Sequence, residues 1–428
     1  MLDINRIRNA KEEIRKALLK RMGAEVLDAT LDKVIKLDNQ RREMIQKSDE
    51  LKAERNKYSK TKPTPEIIAQ MKGVGEDIKK IDDELRLIEE EFTTAMSELP
   101  NTPADDVLPG GKENNKVIKT FGKKPKLDFE PKDHVELATG LDIIDYERAA
   151  KMSGSGFWIY KGQGALLEWA LLSYFIDFHT KNGYTFMIPP FLLTEKSAYT
   201  SGHLPKFRED LFWTSTSTRA ERDGQDQLCL NATSEMMLGN YHRDEILDDK
   251  SLPLKYCAYS ACFRREAGSY RKEERGMVRG HQFNKIEMFQ FTKPDESWVA
   301  FDELIGNAEK LVEGLGLHYQ SVLLAAEDAS AAMAKTVDIE VWIPSMNIYK
   351  EVSSASNALD YQARRGNIRY KDAKTGKNDF VHTLNASGLA TSRLIPAILE
   401  QCQQKDGSIE VPKVLQKFCG FKVIKGKK

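Results

Sequence analysis

Between Ala24 and Leu99 the chain holds only two glycines, Gly73 and Gly75, and two prolines, Pro63 and Pro65. A stretch this long, rich in Lys, Glu, Arg, Asp, Leu and Ile, has little choice but helix. Two prolines two residues apart break it near the middle, within Thr61-Lys62-Pro63-Thr64-Pro65. After the break Ile78, Ile81, Leu85, Ile88 and Phe92 step by three and four, the a/d seam of a coiled coil. Before it Leu37, Met44, Leu51 and Tyr58 recur every seven, with polar Arg41, Ser48 and Arg55 at the alternate seam positions. The pattern predicts a helix, a turn and a helix returning antiparallel. A helix of roughly 30 residues is about 45 Å long, so this is an arm and not a compact domain.

The arm's tip is basic. From Arg41 to Lys62 the cations Arg41, Arg42, Lys47, Lys52, Arg55, Lys57, Lys60 and Lys62 face only Glu43, Asp49, Glu50 and Glu54. A narrow rod with that excess suits a phosphate backbone, bound by neutralisation and counterion release. A solvated coiled-coil face has the same composition. The whole chain gives no help, because Lys+Arg and Asp+Glu are both 65. A nucleic-acid contact must come from local patches, and DNA binding is not expected.

The 428 residues suggest two or three domains with ample core. The five cysteines, Cys229, Cys257, Cys262, Cys402 and Cys419, include no Cys-x-x-Cys pair. That fits a reducing compartment without a disulfide framework or a zinc site. Met1-Leu-Asp-Ile-Asn-Arg has no apolar run, and the apolar segment from Ala165 to Phe178 is short and carries Glu168 and Asp177. No secretory signal and no membrane span are expected, and the location is expected to be cytoplasmic. Residues 100–135 are turn-rich and polar. They set the expected domains as an arm over 1–105, a linker over 106–133 and a body over 134–428. Lys425–Lys428 is expected to be a disordered tail.

Within the body, Cys257 to Phe263 and Gln282 to Phe291 read as paired strands. Phe283, Lys285, Glu287 and Phe289 fall on one face, Ile286 and Met288 on the other. Between them lies a polar loop with Arg271, Lys272, Arg275 and Arg279, and Arg264 and Arg265 stand at its edge. Arginine's planar fork suits phosphate oxygens, an aromatic ring can stack on a base, and a carboxylate can receive an ammonium. Phosphate, base and amine together are the handles of ATP plus an amino acid. A charged loop on an ordinary antiparallel sheet is the plainer alternative.

Other stretches read similarly. Ala165 to Asn182 is an apolar helix stopped by Gly183, and Tyr184 to Leu193 is a strand ending in Pro189-Pro190, acceptable only at an edge or interface. Leu228 to Glu235 is an apolar strand ending in Thr233-Ser234-Glu235, which can equally be a helix cap with a first-turn acid. Glu351-Val352-Ser353-Ser354 offers a carboxylate and a hydroxyl, oxygen ligands of the kind Mg²⁺ prefers. His382 to Glu400 is a strand, a glycine-bearing junction and a helix with Arg393 in its opening turns, where anions are favoured.

Phe263-Arg264-x-Glu266, then Arg275-Gly276, then Arg279-x-His281-Gln282-Phe283-x-Lys285-x-Glu287 resembles motif 2 of class II aminoacyl-tRNA synthetases, in the wording of the seryl-tRNA synthetases. With motif 2 at about 257–291, motif 1 would lie at about 165–193 and motif 3 at about 382–400. The stretches from Ser201 to Phe212, Glu351 to Ser354 and the coiled-coil arm agree, so the resemblance covers essentially the whole chain. It implies an α+β fold: a mixed, mostly antiparallel sheet flanked by helices, with the N-terminal antiparallel arm gripping the long variable arm of tRNA(Ser), mostly by shape.

The resemblance also implies the chemistry. Serine and ATP would form seryl-adenylate, and serine would pass to the tRNA 3′ end, on tRNA(Sec) as well where that tRNA exists. ATP contacts would come from Arg264, Arg265, Glu266, Arg279, Phe283, Glu351, Val352, Ser353, Ser354 and Arg393. Of these Arg264, Arg393 and Glu351 would be catalytic, and Glu351 and Ser354 would hold Mg²⁺ through ATP. Serine contacts would come from Thr233, Ser234, Glu235, Arg264, Glu287, Asn385 and Ser387. The arm's Arg41, Arg42, Lys47, Lys52, Arg55 and Lys57 would meet tRNA. Arg364 and Arg365 would be structural or touch the tRNA end. Motif 1 would make a homodimer. The family often has alanine at 234 and glycine at 386 and 392, where this chain has Ser234, Ala386 and Ser392. Two rival functions are a related enzyme charging a non-tRNA carrier and a non-catalytic RNA-binding paralogue. The basic arm argues against the first, the intact site residues against the second.

Overall fold

The computed structural model describes residues 1–58, 64–214, 227–266 and 276–426. The expected turn at Thr61–Pro63, with Lys60 and Lys62, lies outside them. So do Arg271, Lys272 and Arg275 of the loop and the last two residues of the tail. The chain divides into two compact units, Met1–Thr102 and Pro103–Lys428.

The first unit is helical. Two short helices, α1 (Ile4–Asn9) and α2 (Lys11–Leu18), precede α3 (Ala24–Tyr58) and α4 (Pro65–Glu98). Pro65 opens α4, where its missing N–H costs nothing, and the Thr64 hydroxyl accepts from the Ile67 amide at 3.3 Å. At 1.5 Å per residue α3 is about 52 Å long. The heptad seam is real: Ile78 and Phe92 are buried and Ile81, Leu85 and Ile88 half-buried. Polar seam residues of α3 are matched from α4, which also fixes the antiparallel sense. Ser48 donates to Asp82 at 2.9 Å, and the Arg41 guanidinium lies 4.8 Å from the centre of the Phe92 ring.

The second unit is built on one eight-stranded sheet. Its strands are β1 (Lys116–Phe121), β2 (Thr185–Met187), β3 (Leu254–Phe263), β4 (Gln282–Thr292), β5 (Tyr319–Leu323), β6 (Lys335–Ile343), β7 (Ile348–Leu359) and β8 (His382–Ala390). The spatial order is β1-β5-β6-β7-β8-β4-β3-β2, antiparallel except for the β2–β3 pair. The helices α5 (Gln163–Lys181), α6 (Ser297–Leu315) and α7 (Thr391–Gln401) supply Leu171, Phe175, Leu304, Leu311, Ile395 and Leu399 to a core shared with Ile286, Met288, Ile339 and Leu384. Ile286 and Met288 thus face the core, as the alternation on β4 requires.

The expected linker over 106–133 is corrected here. Residues 116–121 are not linker but the edge strand of the main sheet, and the division between units falls after Thr102. Lys119 fixes the strand by donating to Glu309 at 2.6 Å and Glu313 at 3.0 Å on α6. The proline-bearing strand expected over 184–193 is two short strands, β2 and Leu192–Thr194, with Pro189-Pro190 between them. β2 is at the sheet's edge, where an unpaired neighbour can be tolerated. All five cysteines are free thiols. No described helix is long and apolar enough to cross a membrane.

Candidate active site

The face of the sheet opposite the helical core carries two adjoining cavities, of about 560 and 40 Å³. β4 contributes Phe283, Lys285 and Glu287, β8 contributes Asn385 and Ser387, and Arg393 enters from the first turn of α7. The larger cavity also takes Thr233, Glu235 and His203, and the smaller takes Phe283, Ala390 and Ser392. Arg264, Glu266, Arg279, Lys285, Glu351, Ser387 and Arg393 line both, so the junction is where most of the charge is concentrated.

A β-bulge brings two of these residues together. Strict alternation would set Glu351 and Ser354 on opposite faces of β7. The pairing with β6 passes from Glu340↔Glu351 to Ile339↔Ser353, one extra residue on β7. The bulge re-aims the strand. Glu351, Ser354 and Ser356 all line the cavity, while Val352 packs into the core and Ser353 is buried, its hydroxyl donating to the Ser387 carbonyl at 2.6 Å.

The larger cavity holds a buried charge cluster. Lys285 donates to the Thr233 hydroxyl at 2.6 Å and forms a salt bridge with Glu287. The Asn385 amide donates to Glu287 at 3.0 Å. The Gln362 amide donates to Glu235 at 2.7 Å and to the Ser201 carbonyl, and its own oxygen accepts from Thr383. Burial, then repulsion from Glu287, pushes the Glu235 carboxyl up to about 7. Burial, reinforced by Arg264 and Lys285, pushes His203 down to about 3, so its ring is a neutral wall.

The three arginines of the junction are held in a different way. The Arg264 guanidinium donates to the Ala232 carbonyl at 3.3 Å and lies 5.2 Å from the centre of the Phe283 ring. Arg279 donates to Glu266 at 2.6 Å. Arg393 donates to the Glu351 carbonyl at 2.8 Å and to the Val278 carbonyl at 3.2 Å. Gly280, beside Arg279, has no room for a side chain: a Cβ there would lie 2.2 Å from Trp158.

Several expected site residues stand elsewhere. Ser234 is fully buried and donates to Ser260 at 2.7 Å, away from both cavities. The Arg265 side chain is exposed, and its amide donates to the Asp210 carbonyl. Val352 and Ser353 offer the site no side chain. Arg365 is structural, donating to the Tyr199 and Leu204 carbonyls. Arg364 donates to Asp360 at 2.7 Å. On the arm, Arg42, Lys47, Arg55 and Lys57 are exposed, whereas Arg41 is drawn into the seam and Lys52 donates to Asp82 at 3.2 Å. Ala386 faces the core, so its departure from glycine does not touch the cavities, while Ser392 lines the smaller one. Sequence reasoning gave no role to Lys285, Gln362 and Met333, which stand at or behind the site; the shared face of β4 and the motif 2 spacing signalled the first.

Metal chemistry has a place to sit. Glu351 and Ser354 present oxygen donors, and behind them Asp338 has a buried carboxylate oxygen without a partner, its pKa pushed well above the usual range by burial and by Glu351. Among the described residues no group of three protein ligands could hold a metal alone. The set fits Mg²⁺, which takes few protein oxygens and completes its shell from phosphates and water.

An antiparallel sheet with arginines at the junction and a pocket of buried carboxylates and hydroxyls beside them is the active-site architecture of a class II aminoacyl-tRNA synthetase. Residues 212–402 match the model of the tRNA synthetase class II core domain (G, H, P, S and T), and residues 1–103 match the seryl-tRNA synthetase N-terminal domain. Serine–tRNA ligase 2 of Clostridium acetobutylicum is 54% identical, over 98% of this chain and 99% of that one. The serine–tRNA ligase of Chlorobium phaeobacteroides is 46% identical, over 99% and 100%. The crystal structure of seryl-tRNA synthetase from Pyrococcus horikoshii complexed with ATP superposes with a TM-score of 0.90 at 34% identity, covering all of both chains. The chain belongs to the seryl-tRNA synthetase family, a family of aminoacyl-tRNA ligases.

Proposed function

We propose that this chain is the ATP-dependent serine–tRNA ligase its family membership implies, and that the two cavities are the site of both half-reactions. The observation that carries the reading is the junction itself. Seven residues, four of them cationic, separate an acidic, hydroxyl-lined pocket from an aromatic one. Serine's ammonium fits Thr233, Glu235 and Glu287, and its hydroxyl fits Asn385 and Ser387. A site that hydrogen-bonds that hydroxyl rejects alanine, because its own buried partners would be left unpaired. The adenine fits against Phe283 with Glu266 at its edge, and the phosphates fit Arg264, Arg279 and Arg393.

In the first step a serine carboxylate oxygen attacks the α-phosphorus in line and the bond to pyrophosphate breaks, giving seryl-adenylate. In the second a ribose hydroxyl at the tRNA 3′ end attacks the acyl carbon and AMP leaves. No covalent side-chain nucleophile is needed; catalysis is positioning plus charge stabilisation, with Arg264 on the α-phosphate as its charge grows. Glu351 and Ser354 would hold Mg²⁺, which when bound neutralises phosphate charge. The basic arm would take the variable arm of tRNA(Ser), and of tRNA(Sec) where it exists. A second copy would cover motif 1, where Leu166 and Trp169 on α5 and Ile188 after β2 are 52%, 57% and 71% exposed. The free thiols suit the cytoplasm.

The test is pyrophosphate exchange with serine, threonine, alanine and glycine side by side. Exchange is expected with serine alone, and Arg264→Ala should lower it roughly 100- to 1,000-fold. Exchange with another amino acid would keep the fold and overturn the substrate.

A further inference from the structure

The β3–β4 ladder changes character one residue past its last strand pair. Phe263 faces Gln282, so Arg264 faces His281 in the register where two residues exchange both backbone bonds. Only one of the two is made: the Arg264 amide donates to the His281 carbonyl at 2.9 Å. The His281 amide turns away and donates to the Gly156 carbonyl at 2.9 Å. The Arg264 carbonyl is met instead by the His281 side chain, whose Nδ1 lies 2.9 Å away. A carbonyl only accepts, so Nδ1 carries the proton. The next amide, that of Arg265, donates to the Asp210 carbonyl at 2.9 Å. The peptide unit joining Arg264 to Arg265 is therefore held on both sides. A glycine makes room for this: a Cβ on Gly156, at φ +81°, would lie 2.6 Å from the His281 ring. The ring stands 5.3 Å from that of Phe157 and 6.1 Å from that of Phe212, centre to centre.

We propose that His281 is a positioning residue: its imidazole N–H replaces the missing backbone bond, fixes the Arg264 main chain, and so aims the guanidinium at the α-phosphate. The guanidinium's own contacts are long, 3.3 Å to the Ala232 carbonyl and 5.2 Å to the centre of the Phe283 ring. Its aim therefore depends on the backbone behind it. The plainer role for His281 is to fill the space between Phe157 and Phe212. The two roles ask for different atoms. Positioning needs an N–H donor at the place of Nδ1; packing needs a ring.

The inference rests on Arg264 serving the α-phosphate. The experiment is serine-dependent pyrophosphate exchange by the full chain, with kcat and KM taken separately for His281→Asn and His281→Phe. Asparagine sets an amide N–H where Nδ1 stands; phenylalanine keeps a ring and removes the donor. His281→Phe should lower kcat roughly 10- to 100-fold, the cost of a misplaced catalytic group. KM for serine and for ATP should stay within about threefold, because the lost contact is one that strengthens in the transition state. His281→Asn, with the bond restored, should keep kcat within roughly fivefold of wild type. In an Arg264→Ala background His281→Phe should cost less than about threefold, since a residue that acts through Arg264 then has nothing to aim. Equal losses for the two variants, a loss with asparagine alone, or an undiminished loss in the Arg264→Ala background would overturn the inference and leave the site reading intact. Wild type without serine-dependent exchange, or Arg264→Ala exchanging at the wild-type rate, would sink the site reading and the inference with it. If His281→Phe does not fold, His281→Gln takes its place: its amide lies one bond beyond the place of Nδ1 and should show the same loss.

Discussion

On α4, Arg86 and Glu90 meet at 3.1 Å with side chains 64% and 62% exposed; on β4, Lys285 and Glu287 pair with side chains 6% and 1% exposed. The first pair is screened by water and contributes little, a few tenths of a kcal/mol at most for an i,i+4 pair. The second lies in a low dielectric where desolvation is severe and a lone charge would not be tolerated. The arm keeps most of its charges wet and lets apolar seam residues hold it together. The catalytic unit buries charges against its own stability, and it does so where substrates would need them. Buried charge is therefore the more informative marker of function, and apolar periodicity the more informative marker of stability.

Breaking the arm's side of this contrast gives the largest effect. Phe92 closes the seam and carries Arg41 on its ring. Phe92→Ala should cost about 3 kcal/mol of arm stability. Urea unfolding followed by circular dichroism checks the loss, and serine-dependent pyrophosphate exchange should stay at the wild-type level. A parallel fall in exchange would show that the arm's order and the active site are coupled.

The catalytic unit should respond in the opposite direction when a buried charge is removed. Glu168 on α5 accepts from Thr391 at 2.6 Å and Asn284 at 2.8 Å, one residue on from Phe283 and two before Arg393, and burial pushes it up to about 7. A carboxyl with a raised folded-state pKa binds more protons folded than unfolded between about 4.5 and 7. Its contribution is therefore fully present at acid pH and is lost as pH rises to about 7. Glu168→Gln keeps an oxygen for both donors. It should gain stability on the order of 2–3 kcal/mol at pH 8, with the gain gone below pH 4.5, read from melting temperature against pH. A loss of stability at pH 8 would mean that Glu168 is held charged and would end the contrast.

The two units were also unequally legible. The α4 heptad is local, so the chain displays it directly. The α3 half is harder to read, because Arg41 and Ser48 look like surface residues until Phe92 and Asp82 arrive from α4. β1 hides in a turn-rich segment, because its partner β5 lies about 200 residues further on. In the site, the arginines and Glu287 stand out because their chemistry is conspicuous. Lys285 does not, since a lysine in an alternating strand reads as its solvent side. Glu351 and Ser354 belong together only because of a bulge that no periodicity announces. Local pattern shows elements; shared faces assembled from distant strands do not show until the sheet is closed.

The smallest effect sharpens the contrast within the arm itself. Lys47 and Arg42 are exposed, while Arg41 is half-buried against Phe92, although all three look alike in sequence. If the arm meets RNA through its wet charges, Lys47→Ala should weaken tRNA binding only severalfold. It should also lower the slope of log affinity against log salt by about one and leave unfolding unchanged. Arg41→Ala should do the reverse, lowering arm stability through lost packing on Phe92 with little change in the salt slope. Binding titrations at several salt concentrations, run beside urea unfolding for both variants, separate the two. Identical behaviour would mean that position on the rod, and not exposure, decides which cations serve RNA.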